Sequence, residues 1–171
     1  MSFNCPLLYT YEFDINDWVN EYNKLYDEYK KEYANAGLSF KELPIRFKKN
    51  PQIKAKDNSF YHMTTDHDEP ITSDEERVPS TKRIRFFYYP KIMLNNYNCT
   101  LNCPDCSGMK VWFQKDRGVT KAYIYFDEIK YVVILEYRRK YFLFKTAYYV
   151  NFERSRKLFL ESYKKNIHTT L

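Results

Sequence analysis

The C-terminal stretch Tyr-Phe-Leu-Phe-Lys-Thr-Ala-Tyr-Tyr-Val, residues 141–150, decides the fold class of this chain. It is dominated by aromatic and β-branched residues, contains neither Gly nor Pro, and has the length of a strand. Because strand side chains point alternately to two faces, four residues are predicted to share one face: Phe142, Phe144, Thr146 and Tyr148. Thr146 and Tyr148 are therefore predicted to be neighbours on that face.

Four earlier stretches have the same strand-like character: residues 83–89, 109–115, 120–126 and 130–137. The links at 116–118 and 138–140 have the length of hairpin connections. Short links of this kind join antiparallel neighbours. We therefore expect a four- to five-stranded antiparallel sheet over residues 83–150, preceded by one short strand over residues 44–47.

Two helices are predicted at the two ends of the chain. Residues 14–36 carry an aromatic and apolar stripe at helical spacing: Trp18, Tyr22, Leu25, Tyr29 and Tyr33. A second helix is expected over residues 151–166, with Asn151 as its N-cap and Phe152, Phe159 and Tyr163 on its inward side. The predicted fold class is α+β, with both helices packed on the antiparallel sheet.

A chain of 171 residues is expected to form a single domain, residues 1–171. Residues 65–80 are acidic, contain two prolines and show no apolar periodicity, so a mobile loop is predicted there. No stretch has the length of a membrane span, and the start of the chain does not resemble a secretory signal. With few and clustered cysteines, we expect a cytoplasmic protein that has no membrane partner.

The charge of +6 is divided very unevenly along the chain. Residues 1–76 carry 9 Lys/Arg and 15 Asp/Glu, whereas residues 77–171 carry 19 and 7. A basic half of this size attracts polyanions such as nucleic acid, unless the acidic half of the same protein neutralises it. The 18 Tyr and 13 Phe exceed the needs of a small core, so some rings are expected on the surface, where they can stack on bases.

Metal-free cleavage of RNA needs a base for the 2′-hydroxyl, an acid for the 5′-oxygen and cations around the phosphate. The hydroxyls of Thr146 and Tyr148 can bond a phosphate, although both residues are also ordinary strand formers. His62 is the best candidate for the acid or base, and it could equally cap the aromatic patch of residues 60–64. The arginines Arg77, Arg83 and Arg85 supply cations.

Three cysteines within eight residues form a second candidate site: Cys99, Cys103 and Cys106. The Cys-Pro-Asp-Cys spacing resembles the knuckle of structural zinc sites, and Cys5, or failing that His67, is the expected fourth ligand. Free thiols and a redox pair are the alternatives. No carboxylate or histidine cluster accompanies the thiols in the sequence, so no cofactor is predicted for catalysis.

Residues 40–165 resemble the small phage and bacterial endoribonuclease toxins of the barnase, EndoU, colicin and RelE-like group. The resemblance rests on Pro44-Ile45-Arg46-Phe47, Phe60-Tyr61-His62-Met63-Thr64, Arg77 with Arg83-Ile84-Arg85, Met109-Lys110-Val111-Trp112 and Lys145-Thr146-Ala147-Tyr148-Tyr149-Val150. It implies a catalytic set of His62, Arg83, Thr146 and Tyr148. The resemblance also implies that RNA is contacted by Arg77, Arg85, Lys110 and Lys145.

The function expected from these features is a metal-independent, toxin-like or phage-related endoribonuclease whose partners are RNA and an antitoxin or immunity protein. In that mechanism His62 moves the proton, Arg83 stabilises the phosphorane, and Thr146 and Tyr148 orient the phosphate. Two alternatives stay open. One is a nucleic-acid-binding module with a zinc knuckle, and the other is a phage or bacterial protein that docks a protein partner.

Overall fold

The computed structural model describes residues 5–66, 77–104 and 106–171, and its fold is α+β. The helices are α1 Trp18–Tyr29, α2 Asn58–Thr64, α3 Thr81–Arg85, α4 Tyr89–Asn96 and α5 Glu153–Asn166. The strands are β1 Ser39–Phe40, β2 Leu43–Arg46, β3 Thr65–Asp66, β4 Val78–Pro79, β5 Lys110–Asp116, β6 Val119–Phe126, β7 Tyr131–Tyr137 and β8 Phe142–Tyr149. A 3-10 turn, Ile15–Asp17, leads into α1, and a π-helical turn, Lys30–Ala34, continues it.

The main sheet has six strands in the order β1-β2-β8-β7-β6-β5. The four long strands β5 to β8 form the predicted antiparallel meander, within a residue or so of their expected bounds. The predicted purely antiparallel sheet is wrong, because β2 pairs with β8 in parallel, with Ile45 opposite Phe142 and Arg46 opposite Leu143. The short strand expected at residues 44–47 is thus real, and it widens the sheet on the β8 side.

The strand predicted over residues 83–89 is wrong, because α3 ends at Arg85, residues 86–88 form a turn, and α4 begins at Tyr89. Ser80 caps α3, its hydroxyl oxygen accepting the N–H of Arg83 at 3.4 Å. Ile84 and Phe87, three residues apart, are both buried, and this is a helical spacing. Tertiary burial on that spacing overrides the strand preference of the aromatic run.

The two faces of the sheet carry two separate cores. The inner face packs against α1, α2 and α4, and its core includes Leu25, Tyr29, Phe60, Met93 and Phe144. The outer face packs against α5, and its smaller core comprises Trp112, Tyr125, Val132 and Val150, with Phe159, Leu160 and Tyr163 of the helix against it. The sheet is therefore the middle layer between two layers of helix.

Lys145 is a β-bulge, and it changes the predicted facing of β8. Thr146 lies opposite Ile134, whereas Phe144 lies opposite the next residue, Leu135, so that Lys145 has no partner in the ladder. Phe142 and Phe144 consequently face the inner core together with Ala147. Thr146 and Tyr148 point to the outer face instead, so the predicted single face holding all four residues is wrong.

The terminal helices agree with the sequence in most respects. Gly37, at a φ of +65°, follows the N-terminal helical segment as expected for a left-handed terminating residue. In α5, Phe159 and Tyr163 pack on the sheet, but Phe152 is 73 % exposed, so its predicted inward position is wrong. The predicted N-cap Asn151 is also wrong, because Phe152 precedes the helix and no side chain caps it. The guanidinium of Arg156 binds both carboxylate oxygens of Asp127 at 2.7 Å and holds the start of α5 on the sheet.

The segment expected to be an acidic mobile loop, residues 65–80, falls largely outside the described residues. Its two described ends meet in the small sheet of β3 and β4, in which Thr65 pairs with Pro79 and Asp66 with Val78. His67, the reserve zinc ligand, lies in the part that is not described.

Candidate functional site

A pocket of about 590 Å³ opens where β8 ends, between α3, α5 and the outer face of the sheet. Its volume lies within the range of small-ligand sites in proteins. Seven aromatic side chains belong to its wall: Phe86, Tyr123, Tyr131, Tyr148, Tyr149, Phe152 and Phe159. Its charged residues are Lys82, Arg83 and Asp66, and its neutral polar residues include Gln114, Asn151 and Ser155.

Arg83 closes the edge of β8 on one side of this pocket. Beyond Leu143, β2 has ended, and among the described residues no strand pairs with this edge of β8. The Nη1 of Arg83 donates to the carbonyl oxygens of Ala147 at 3.3 Å and of His62 at 3.2 Å. Arg83 therefore ties α2 to the free edge of the sheet as well as lining the pocket.

The same guanidinium forms an ion pair with Asp66. Its Nε lies 3.2 Å from the Oδ1 of Asp66, although the two groups are not aligned for a hydrogen bond. Arg83 is only 16 % exposed, whereas the Asp66 side chain is 46 % exposed. An anion entering the pocket would thus compete with an exposed carboxylate for a cation that is already held in place.

Lys82, the neighbouring residue, presents a second cation. Its ammonium lies 4.4 Å from the centre of the Tyr149 ring and donates to the side-chain oxygen of Asn151. Lys82 is exposed, and within the described ranges no carboxylate pairs with it. This cation is thus available to an incoming anion.

Tyr148 and Tyr123 bring two half-exposed rings to the outer side of the pocket. Burial raises the pKa of the Tyr148 phenol, and Tyr123 raises it further, while the charge of Arg83 lowers it. Because the net shift is upward, the phenol is protonated at neutral pH and can donate a hydrogen bond. The guanidinium carbon of Arg83 stands 6.0 Å from the centre of this ring.

Of the four residues predicted to be catalytic, two line the pocket and two do not. Arg83 and Tyr148 line the same pocket. Thr146 is next to Tyr148 on the outer face but does not line the pocket. His62 lies on α2, half-buried, and meets Arg83 through its backbone carbonyl, and it too does not line the pocket.

The residues predicted to contact RNA are spread over the molecule. Arg77 is buried and donates to the hydroxyl and the carbonyl of Thr65 at 3.0 and 2.9 Å. Arg85 lines a small separate groove beside Tyr11 and Glu12. Lys110 donates to the Ser107 hydroxyl at 2.9 Å, and the bulged Lys145 pairs with Glu136 at 3.2 Å.

Several wall residues were missed by sequence reasoning: Lys82, Gln114, Tyr123, Asn151 and Ser155. They come from α3, β5, β6, the link after β8 and α5, and no local pattern connects them. One signal was available, because Tyr123 and Tyr148 each fall on the outward alternation of their strands. The bulge at Lys145 obscured that signal in β8.

The four cysteines are not joined in disulfides. Cys99 is exposed, and the other three are half-buried. Over residues 5–66, 77–104 and 106–171, no three His, Cys, Asp or Glu side chains stand close enough together to hold a metal ion. The predicted zinc site therefore stays a prediction.

The described helices are all too short or too polar to cross a membrane. No protein-family model, curated protein or solved structure matches the chain. The resemblance to endoribonuclease toxins thus stays a prediction.

Proposed function

We propose that this protein binds single-stranded RNA, with bases against the rings of the pocket and phosphates on Lys82 and Arg83. The observation that carries the proposal is the combination in one pocket of half-exposed rings, Tyr148 and Tyr149, with two adjacent cations. Proteins that bind single strands combine aromatic platforms with basic grooves in this way. The site therefore suits a ligand that is planar and anionic at once.

The form of the pocket favours a single strand over a duplex. Stacking on Tyr148 or Tyr149 requires the face of a base, which a double helix keeps within its own stack. Each stacked base contributes about 1–3 kcal/mol to binding by alanine substitution. A strand with unpaired bases can use these rings without the cost of opening a duplex.

The polar part of the wall favours RNA. Asn151, Ser155 and Gln114 offer amide and hydroxyl groups next to the rings. The ribose 2′-hydroxyl is both a donor and an acceptor, so it can bond to such groups, whereas deoxyribose cannot. The net charge of +6 assists capture of the strand at low salt.

Replacing Lys82 by alanine is expected to weaken binding of a fluorescently labelled single-stranded RNA by about tenfold, since hydrogen bonds to charged groups contribute about 1.5–3 kcal/mol. The slope of log affinity against log salt should also become shallower by about 0.7, because the variant neutralises one phosphate fewer. Anisotropy titrations at several salt concentrations measure both. Lys49→Ala removes an exposed lysine that does not line the pocket, and serves as the matched control.

Equal loss of affinity in Lys82→Ala and Lys49→Ala would mean that the charge of the whole protein, and not this pocket, binds RNA. Absence of any salt-dependent binding by the unaltered protein would overturn the proposal. Competition with duplex RNA and with single-stranded DNA of the same sequence tests the preference for single strands and the preference for RNA. Equal affinity for all three would remove the role given to the rings and to the 2′-hydroxyl.

Cleavage of the bound strand is the second candidate function, and the presence of Arg83 and Tyr148 in one pocket favours it. A guanidinium beside a protonated phenol can stabilise a phosphorane and protonate a leaving oxygen. Incubation with RNA in EDTA, followed by electrophoresis, distinguishes the two functions. Binding alone leaves the RNA intact, whereas cleavage should fall by about 100-fold or more in Tyr148→Phe, which keeps the ring but lacks the acid.

His62→Ala completes that comparison. Cleavage that depends on His62 would support the proton transfer predicted from the sequence. Cleavage that survives both Tyr148→Phe and His62→Ala would exclude this chemistry, and would direct attention to a contaminating nuclease.

A further inference from the structure

The two ends of the pocket differ in chemistry. Its cations, Lys82 and Arg83, belong to α3 and stand where β8 ends. Its opposite end carries Gln114 of β5 and Ser162 of α5, and β5 is three strands away from β8 in the main sheet. Gln114 and Ser162 are uncharged, half-buried parts of the pocket wall. A ligand held by its phosphate at β8 therefore meets neutral hydrogen-bonding groups at the other end.

A chain of two hydrogen bonds fixes the orientation of the Gln114 carboxamide. The indole Nε1–H of the buried Trp112 donates to the Ser162 hydroxyl oxygen at 2.9 Å. An indole N–H can only donate, so the hydroxyl of Ser162 accepts this bond and keeps its own hydrogen for another. That hydrogen goes to Oε1 of Gln114, at an oxygen–oxygen distance of 2.6 Å. The carboxamide oxygen of Gln114 is thus directed to Ser162.

The amide nitrogen of Gln114 is consequently the group that is left for a ligand. It carries two N–H donors. In the described part of the chain, no oxygen accepts a hydrogen bond from it. A glutamine that rotates freely can present either a donor or an acceptor, but the bond from Ser162 removes that choice. The pocket therefore offers a hydrogen-bond donor, and no acceptor, at this position.

We propose that Gln114 makes the pocket select uracil over cytosine, an inference that rests on the proposed binding of single-stranded RNA. The two bases have the same ring and the same carbonyl at position 2. At position 4 uracil carries a carbonyl oxygen, which accepts, whereas cytosine carries an amino group, which donates. The amide N–H of Gln114 bonds to the uracil oxygen. Opposite cytosine two donors face each other, and neither has an acceptor.

The layout of the pocket directs position 4 of the base towards Gln114. With its phosphate on the cations at β8, a nucleotide extends its base across Tyr148 and Tyr123 towards β5. Position 4 is at the end of a pyrimidine away from its ribose, whereas the carbonyl that both bases share lies next to the ribose. The Tyr123 ring is held for this contact by Trp112, on which it stacks with centroids 4.9 Å apart and planes 7° from parallel.

Ser162 has the part of a positioning residue in this selection. It acts through Gln114, because its hydroxyl keeps Oε1 turned away from the base. Without that hydroxyl the carboxamide can rotate by half a turn and present its oxygen to the amino group of cytosine. Loss of the hydroxyl is therefore expected to change the ratio of the two affinities more than the affinity for uracil itself.

The test measures anisotropy titrations of the full chain with labelled oligouridylate and oligocytidylate of equal length. The unaltered protein is expected to bind oligouridylate about tenfold more tightly. Gln114→Glu keeps the bond from Ser162 but replaces the amide donors by an acceptor, so the preference should reverse in favour of oligocytidylate. The added negative charge acts equally on both ligands, and it cancels in the ratio. Gln52→Glu adds the same charge at an exposed position outside the pocket and should keep the tenfold preference.

Ser162→Ala should lower the preference to about threefold or less, with an unchanged far-UV circular dichroism spectrum. Equal affinity of the unaltered protein for the two oligonucleotides would overturn the selection of uracil and leave RNA binding intact. Absence of binding to both would instead overturn the proposed function, and the selection with it. A preference for oligouridylate that survives in Gln114→Glu would overturn the assignment to Gln114.

Discussion

Deletion of Leu143 is expected to destabilise the protein severely, whereas deletion of Lys145, two residues later, should change its stability little. Lys145 is the unpaired residue of the β8 bulge, so its removal makes the ladder from Phe144 to Thr146 continuous with Leu135 and Ile134 of β7. Every remaining side chain of β8 stays on the face of the sheet that it occupies in the unaltered protein. Only the ion pair of the half-exposed Lys145 with Glu136 is removed, and we expect a cost of about 1 kcal/mol or less.

Deletion of Leu143 has the opposite effect on the same strand. It forces Phe142 or Phe144, both buried in the inner core, onto the outer face. Exposure of a buried Phe and the cavity left behind cost about 3–5 kcal/mol, a large fraction of the stability of a single domain. Far-UV circular dichroism and urea unfolding of the two deletions measure the contrast. If the two deletion variants had comparable free energies of unfolding, the assignment of Lys145 as the bulge residue would be refuted.

Replacing Arg83 by methionine is expected to lower the free energy of unfolding by about 3 kcal/mol, because two backbone carbonyls and Asp66 lose their partner at once. RNA affinity should fall with it, by about tenfold. Arg83→Lys retains the cation but cannot bridge both carbonyls, since an ammonium lacks the planar fork of a guanidinium. It should keep most of the RNA affinity while losing about 1–2 kcal/mol of stability.

Urea unfolding and RNA titration of the two variants separate the structural task of Arg83 from its electrostatic one. If Arg83→Met were as stable as the unaltered protein, the bridge between His62 and Ala147 would contribute nothing to the fold. If Arg83→Lys lost as much RNA affinity as Arg83→Met, the guanidinium geometry would be needed by the ligand. That second result would favour phosphorane stabilisation, and so the cleavage function.

The stretch that decided the predicted fold class, residues 141–150, shows what a local sequence pattern can predict. Its composition correctly indicates a strand, as do those of β5, β6 and β7. The aromatic stripe from Trp18 to Tyr33 likewise predicts the N-terminal helical segment. These elements can be predicted from the sequence because their hydrophobic periodicity repeats within a few residues.

The sequence predicts only some residues of the candidate site. Arg83 and Tyr148 are indicated by their chemistry, and they do line one pocket. Lys82 sits beside Arg83 in sequence, but its role depends on α3 being a helix that meets the end of β8, whereas a strand was expected there.

The sequence by itself determined the α+β class, the four long strands, the two terminal helical segments and the separation of acidic and basic halves. Only the tertiary structure decided that β2 joins β8 in parallel, that residues 81–85 and 89–96 are helical, and that Lys145 bulges. The reason is physical. Periodicity reports which side of an element is buried, but a bulge, a sheet edge and a pocket exist only relative to a partner, and that partner is distant in the chain.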